Sequence, residues 1–289
     1  MLTAGVTHAQ QMAITFDDLP THGKRPPAVG PLDVANSILA TLKAEHMPPV
    51  YGFINADKTE EDPATMSVLT AWRAAGQPLG NHTWSHPDLE HTSVAQYEAE
   101  ILANQPMLRD LMGKEDWHWF RFTFLHEGET IEKHRAIRGF LKAHGYRIAE
   151  VGMDFEDYLW NDPYARCMTK GDQASIRELH DSYLATATQY IDVYRQLSHA
   201  LFGRDIPYIL LMHVGAFDAK MFPELIALYR SKGFTFVSLP EAEKDPAYAT
   251  DADFGDPGGG ALTEQLADMR KVRLIPNSKP YKRLDALCR

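Results

Sequence analysis

The sequence predicts an α/β fold: a single distorted (β/α) barrel of about seven parallel strands with helices outside. Short apolar runs alternate with longer amphipathic stretches along most of the chain. Several of those stretches close on a glycine, as helix C-termini do. Titratable residues gather just after the apolar runs, where parallel α/β folds collect their chemistry. With 289 residues, 44% of them hydrophobic, the chain is long enough for one sizeable core.

The apolar runs are 11–16, 49–54, 77–80, 117–122, 146–153, 208–213 and 234–238. The stretches of helical period between them are 33–46, with Asp33 as candidate N-cap, then 62–75, 93–112, 130–144, 172–201 and 219–231. Gly76, Gly113, Gly145, Gly203 and Gly233 follow five of these helices. Periodicity does not say whether the sheet closes. Residues 251–260, rich in Asp and Gly, read as a linker, and 262–289 as an appendage of illegible function. The domain expectation is a flexible N-terminus (1–10), a catalytic domain (11–245) and a C-terminal extension (246–289).

The net charge is −10. An acidic surface repels a phosphate backbone, so nucleic acid is not an expected partner. No apolar run approaches the roughly 18 residues of a membrane span. Cys167 and Cys288 lack metal-ligand spacing and could pair in an oxidising compartment. Thr7 and Ala9 have the small side chains of a signal-peptide cleavage site, but the charged and apolar parts of such a peptide are missing. Export is the expectation and cytoplasmic residence the alternative.

Asp17 and Asp18 end the first run, His82 and His86 follow the third, Arg121 ends the fourth, Asp154 and Asp157 follow the fifth, and His213 ends the sixth. Two histidines four apart can converge on one ion, and Pro87 argues that they do so from a loop. Two imidazoles and one carboxylate leave open positions for water, the make-up of a catalytic metal site. Zinc fits such a set, and cobalt, nickel or iron can substitute. Taken alone, Asp-Asp is as well read as a solvated turn, and the histidine pair as two surface side chains.

In order along the chain, Thr15-Phe16-Asp17-Asp18, His82-Thr83-Trp84-Ser85-His86, Arg121-Phe122-Thr123-Phe124, Asp154-Phe155-Glu156-Asp157-Tyr158 and Leu210-Leu211-Met212-His213 resemble the motifs of the polysaccharide deacetylase family, carbohydrate esterase family four. The resemblance covers roughly 11–240 and leaves the C-terminal piece outside. It implies a hydrolase that removes acetyl groups, N-linked or O-linked, from an acetylated carbohydrate. It also implies one divalent metal ion, Zn2+ before Co2+ or Ni2+, held by Asp18, His82 and His86. Asp17 would be the general base, Arg121 its partner, His213 the acid toward the leaving group, and Asp157 the group that orients His213. The Phe124 N–H would join the metal at the oxyanion, and Leu210 and Tyr158 would line a slot for the acetyl methyl.

The match departs from the family where Phe122 and Thr123 replace two prolines, where Tyr158 replaces Trp, and where Leu19-Pro20 follows Asp18. His22, His126 and Glu127 are expected in the rim loops. These departures predict a short or open substrate site rather than a long-chain groove. Trp84 and Trp160 could be sugar platforms or packing residues. His46, His134, His144, His180 and His199 fall on expected helices and read as surface or packing residues.

A metallophosphoesterase, suggested by Gly80-Asn81-His82, would need an early D-x-H and a late G-H-x-H, and neither occurs. A non-catalytic glycan-binding module has no use for Asp17 and His213. The alternative that stays open is an amidohydrolase of small cyclic amides or ureides on the same fold. The glycan, the native metal and the oligomeric state are not legible in the sequence.

Overall fold

In a computed structural model, the described residues are 10–289 except 254, 256–257 and 273–279. The signal-peptide expectation at Thr7 and Ala9 lies outside them. The elements run β1 (Gln10–Leu19), α1 (Pro31–Ala44), β2 (Tyr51–Ile54), α2 (Asp57–Glu61), α3 (Met66–Ala74) and β3 (Leu79–Asn81). There follow α4 (Val94–Ala103), α5 (Gln105–Met112), β4 (Trp119–Phe120), α6 (Ile131–Ala143), β5 (Arg147–Ile148), α7 (Asn161–Lys170) and α8 (Gln173–Phe202). The chain closes with β6 (Tyr208–His213), α9 (Ala216–Ser231), β7 (Phe234–Phe236), α10 (Leu239–Ala242), α11 (Leu262–Met269) and α12 (Tyr281–Ala286).

The described strands pair in parallel in the order β5-β4-β3-β2-β1-β6, and β7 pairs with the start of β1. β1 is the central strand, buried on both faces from Met12 onward, as a strand covered by helices on one side and barrel interior on the other must be. The apolar run 146–153 does two jobs. Its first half is β5, on β4, and its last residue, Met153, bridges to Leu210 of β6. The bent segment thereby joins the two ends of the sheet into a distorted barrel. Gly152 sits at this joint because a Cβ there would lie 2.2 Å from the Tyr248 hydroxyl.

Several helices start or break elsewhere than the period suggests. Asp33 is not the N-cap: Pro31 opens α1, Gly30 caps it, and the Asp33 carboxylate accepts the Gly30 N–H at 2.8 Å from the third helical position. The 93–112 stretch is two helices, because Pro106 supplies no N–H and would clash with the carbonyl of Leu102. The break leaves Asn104 buried, with its amide bonded to Asn81 and Ile54. In the 62–75 stretch Pro63 opens a 3-10 turn, Pro63–Thr65, that runs into α3, and α7 and α11 were not anticipated.

The C-terminal residues pack on the barrel. α11 lies against α8. Cys167 of α7 and Cys288 are joined in a disulfide. Among the described residues, no helix is long and apolar enough to cross a membrane.

Candidate metal-dependent active site

Neighbouring strand residues point to opposite faces, so Asp17 and Asp18 need a device to share a site. A β-bulge between Phe16 and Leu19 supplies it. Asp18 takes φ 66°, a left-handed conformation that Asp tolerates better than most residues. Both carboxylates are buried and both line one cavity of about 540 Å3 at the carboxyl ends of the strands.

His82 follows β3 directly, and its N–H bonds the Ile54 carbonyl of β2. Its Nδ1 donates to the Arg121 carbonyl at 2.9 Å, which fixes the tautomer and leaves the Nε2 lone pair facing the cavity. The turn to His86 is held from beneath by Asn81. That amide donates to the Ile101 carbonyl and the Tyr146 hydroxyl and accepts from the Thr83 and Asn104 N–H groups. Asn81 is thus fully engaged as a structural residue, and the metallophosphoesterase reading of Gly80-Asn81-His82 finds no ligand there.

Asp18, His82 and His86 bring their ligand atoms within 4.8 Å of one another. The Asp18 Oδ1 atom lies 3.7 Å from His82 Nε2 and 3.2 Å from His86 Nε2. It is buried and has no hydrogen-bond partner. Burial pushes both imidazoles toward the neutral form, His82 strongly so. Burial works against ionisation of Asp18, but Lys58 and the His22 hydrogen bond hold it well below the usual carboxylate range. One anionic oxygen facing two neutral lone pairs, with no proton between them, is a donor set that fits a divalent cation.

Asp17 differs from its neighbour. Burial raises its pKa to about 6, against the pull of Arg121 and His213. Arg121 is itself buried under the sheet. Its Nη1 lies 3.3 Å from Asp17 Oδ2, and its other nitrogens donate to the Ala149 carbonyl and Thr15 Oγ1. The loop beyond Arg121 is held by packing and hydrogen bonds at the two positions expected as prolines. Phe122 is buried, and Thr123 is bonded to the Pro87 carbonyl and the Tyr97 hydroxyl. Phe124 follows at φ 57°, its ring exposed at the cavity mouth and 4.5 Å from the His86 ring. Its N–H has no acceptor among the described residues.

On the neighbouring strand, His213 pairs in register with Asp17 across β1 and β6. Asp157 accepts from both the His213 Nδ1 and the His213 backbone N–H, each at 2.7 Å. Burial opposes charging of His213, yet Asp157 raises its pKa to about 10. Tyr158 lines the cavity at 5.2 Å from the His213 ring. Leu210 does not line it. Strand alternation puts Leu211 on the same face as His213, so Leu211 is the leucine in the cavity wall, and Leu210 is buried on the other face.

Two further residues reach the metal group: His22, expected as a rim residue, and Lys58, which carried no sequence signal. His22 Nδ1 lies 2.6 Å from Asp18 Oδ2, and its ring stands 4.7 Å from that of His213. Lys58 Nζ lies 3.7 Å from Asp18 Oδ1 and bonds the Asp18 carbonyl. The other rim expectations divide. His126 lines the cavity and pairs with Asp88 at 2.8 Å. Glu127 turns inward to Arg138 and Gln265. Trp160 is wholly buried with its Nε1–H on Ser182 and so is no sugar platform, while the partly buried Trp84 packs against the core.

The run expected as a linker forms one wall of the cavity instead. Gly258, Gly259 and Gly260 line it, with Glu264 and Asp268 of α11. A Cβ on Gly259 would lie 2.4 Å from the Leu125 carbonyl oxygen, so only glycine allows this approach. Asp251, at the start of the run, is tied to His134 at 2.8 Å.

The positive-φ residues Asp18, His86, Phe124, Leu125 and Glu156 all line this cavity, and such strain gathers where function demands a geometry.

Comparison with known proteins bears on the family and the fold. The chain is 26% identical over 110 residues to a peptidoglycan-N-acetylglucosamine deacetylase of Bacillus cereus, covering 38% of this chain and 35% of that protein. It is 28% identical over 102 residues to a chitin deacetylase of Pestalotiopsis sp, covering 35% and 30%. The chain therefore matches about a third of the length of these curated relatives. The fold is that of the chitin deacetylase from Colletotrichum lindemuthianum, with a TM-score of 0.54, 22% identity, and 82% and 88% of the two chains covered. The polysaccharide deacetylase family model matches residues 4–149, about half of the chain, and the chain belongs to that family.

Proposed function

We propose that this protein is a metal-dependent hydrolase that removes acetyl groups from a carbohydrate. The observation that carries the reading is Asp18 Oδ1, a buried oxygen without a hydrogen bond that faces the lone pairs of His82 and His86. Asp18, His82 and His86 would hold the ion, zinc by preference. A divalent cation bound there supplies a Lewis acid that polarises the acetyl carbonyl and acidifies water.

The chain's own residues do the rest. Asp17 takes the proton of the attacking water, and Arg121 holds it in place and offsets its buried charge. The Phe124 N–H, without an acceptor among the described residues, donates to the oxygen on which charge develops. His213 Nε2 gives its proton to the departing amine or alkoxide. Asp157 keeps the ring charged and fixes its orientation. Leu211 and Tyr158 enclose the acetyl methyl.

We assign this chemistry to residues 11–245 and read 246–289 as an extension that completes one cavity wall. The Cys167–Cys288 disulfide supports export, because such bonds persist in oxidising compartments. The test is acetate release from a panel of N- and O-acetylated oligosaccharides, before and after chelation and after zinc is restored. Release that stops on chelation and returns with zinc is the expected result. Release indifferent to chelation would count against the reading, and so would none from any member of the panel.

A further inference from the structure

The active-site cavity does not end at its rim. Its wall residues His22 and Tyr158 also line a second cavity of about 550 Å3. Two residues of that second cavity, Gly23 and Arg166, line a third of about 620 Å3. Three depressions that share walls form one groove, which runs from the metal group past α7 to the disulfide. The departures on the rim led to the expectation of a short site; this row of depressions is the ground for weighing a longer one.

The far end of the groove is basic. Lys24, Arg25, Arg166, Lys170 and Arg289 line it, and no Asp or Glu does among the described residues. This concentration stands out on a chain of net charge −10. Carboxylates nearby answer two of the five: Asp162 lies 3.9 Å from Lys24 Nζ, and Asp285 lies 2.5 Å from Arg289 Nη2. Arg25 bonds Thr21 Oγ1 and the Val29 carbonyl. Arg166 bonds the carbonyls of Leu284, Asp285 and Leu287. Neutral oxygens fix a guanidinium in place without cancelling its charge. Lys170, exposed, reaches a main-chain oxygen of Arg289. The disulfide and the Arg166 bonds hold the C-terminal residues in this position.

We propose that this basic end is a binding subsite for an anionic group of the sugar chain whose acetyl group lies at the metal, so that the substrate is an acidic glycan. The proposal rests on the deacetylase reading. Continuity with the reacting centre favours a glycan over a nucleic acid or lipid headgroup.

The probes are an acetylated oligouronate and its methyl-ester twin, equal in shape and different in charge. Binding of each to the zinc-loaded protein is measured by fluorescence polarisation, at low salt and at about 1 M salt, where the Debye length is only about 3 Å. At low salt the carboxylate form is expected to bind about fivefold to tenfold more tightly than its twin, as a few partly exposed ion pairs would give. High salt should erase most of that ratio. In Lys170→Gln and in Arg25→Gln/Lys170→Gln the ratio should fall toward one, the single variant guarding against misfolding of the double. Equal binding of the twins in the unaltered protein overturns the proposal, as does a preference that survives in both variants or binding of neither twin. Acetate release from neutral N-acetylated oligosaccharides, run in parallel, separates the two failures. If it proceeds while the twins fail to differ, the subsite is wrong and the deacetylase reading stands. If no acetylated substrate is cleaved, the deacetylase reading itself fails.

Discussion

Asp17 and Asp18 are adjacent and equally buried, yet their surroundings push them apart. Burial lifts Asp17 to about 6, whereas Lys58 and His22 outweigh burial at Asp18 and keep it ionised. Two carboxylates separated in this way suit a base and a metal ligand, respectively. Asp17→Asn keeps the shape and removes the proton acceptor. It is expected to retain zinc and lose at least about 100-fold in kcat; a variant that keeps more than about a tenth of the rate would remove Asp17 from that role. The His213–Asp157 pair makes a prediction about pH. An acid is active while protonated, so its contribution is present below its pKa and lost as pH rises through about 10. Asp157→Asn removes the anion that outweighs burial, so the alkaline limb of kcat should move toward neutral pH. An unmoved limb would mean that some other group sets it. The strand-end positions of these residues were legible in the sequence because parallel folds gather chemistry there. The bulge that turns Asp18 was not, and neither was the choice between Leu210 and Leu211, which depends on which strand face meets the cavity. His22 reaches Asp18 from a loop and Lys58 from the short helix α2, and no periodicity encodes the course of either.

At the scale of elements, the strands were easier to place than the helix ends. An apolar run bounded by turn residues fixes a strand such as 208–213 outright, while Pro106 inside 93–112 divides a stretch whose apolar period continues across the break. The glycine-rich run 251–260 has the composition of a linker, but composition does not distinguish flexibility from close approach, and Gly259 serves the second. The C-terminal elements depend on one covalent tie. Cys167 and Cys288 are 121 residues apart in sequence, and a disulfide of that span typically stabilises by about 2–4 kcal/mol, chiefly by restricting the unfolded chain. Cys288→Ser should therefore lower the denaturation midpoint in urea to the value that the unaltered protein shows under reducing conditions, and reductant should not lower it further. Identical midpoints for the oxidised protein and the variant would show that the tie contributes nothing.

For the whole molecule, the alternation of runs was sufficient to anticipate a parallel barrel but not its closure. One bent segment closes it, with β5 on β4 and Met153 on β6. That closure brings Asp157 against His213, which stands beside Asp17 on the neighbouring strand and lines one cavity with Asp17, Asp18, His82 and His86. The central claim is that Asp18, His82 and His86 hold one cation on which hydrolysis depends. The most direct measurement is metal content by mass spectrometry alongside acetate release, on the unaltered protein and on His82→Ala, each stripped by chelator and reloaded with zinc. The account predicts one zinc per chain in the unaltered protein, with activity restored in proportion to zinc bound, and loss of both together in His82→Ala. Full zinc occupancy in His82→Ala, or undiminished acetate release from the stripped protein, would contradict it.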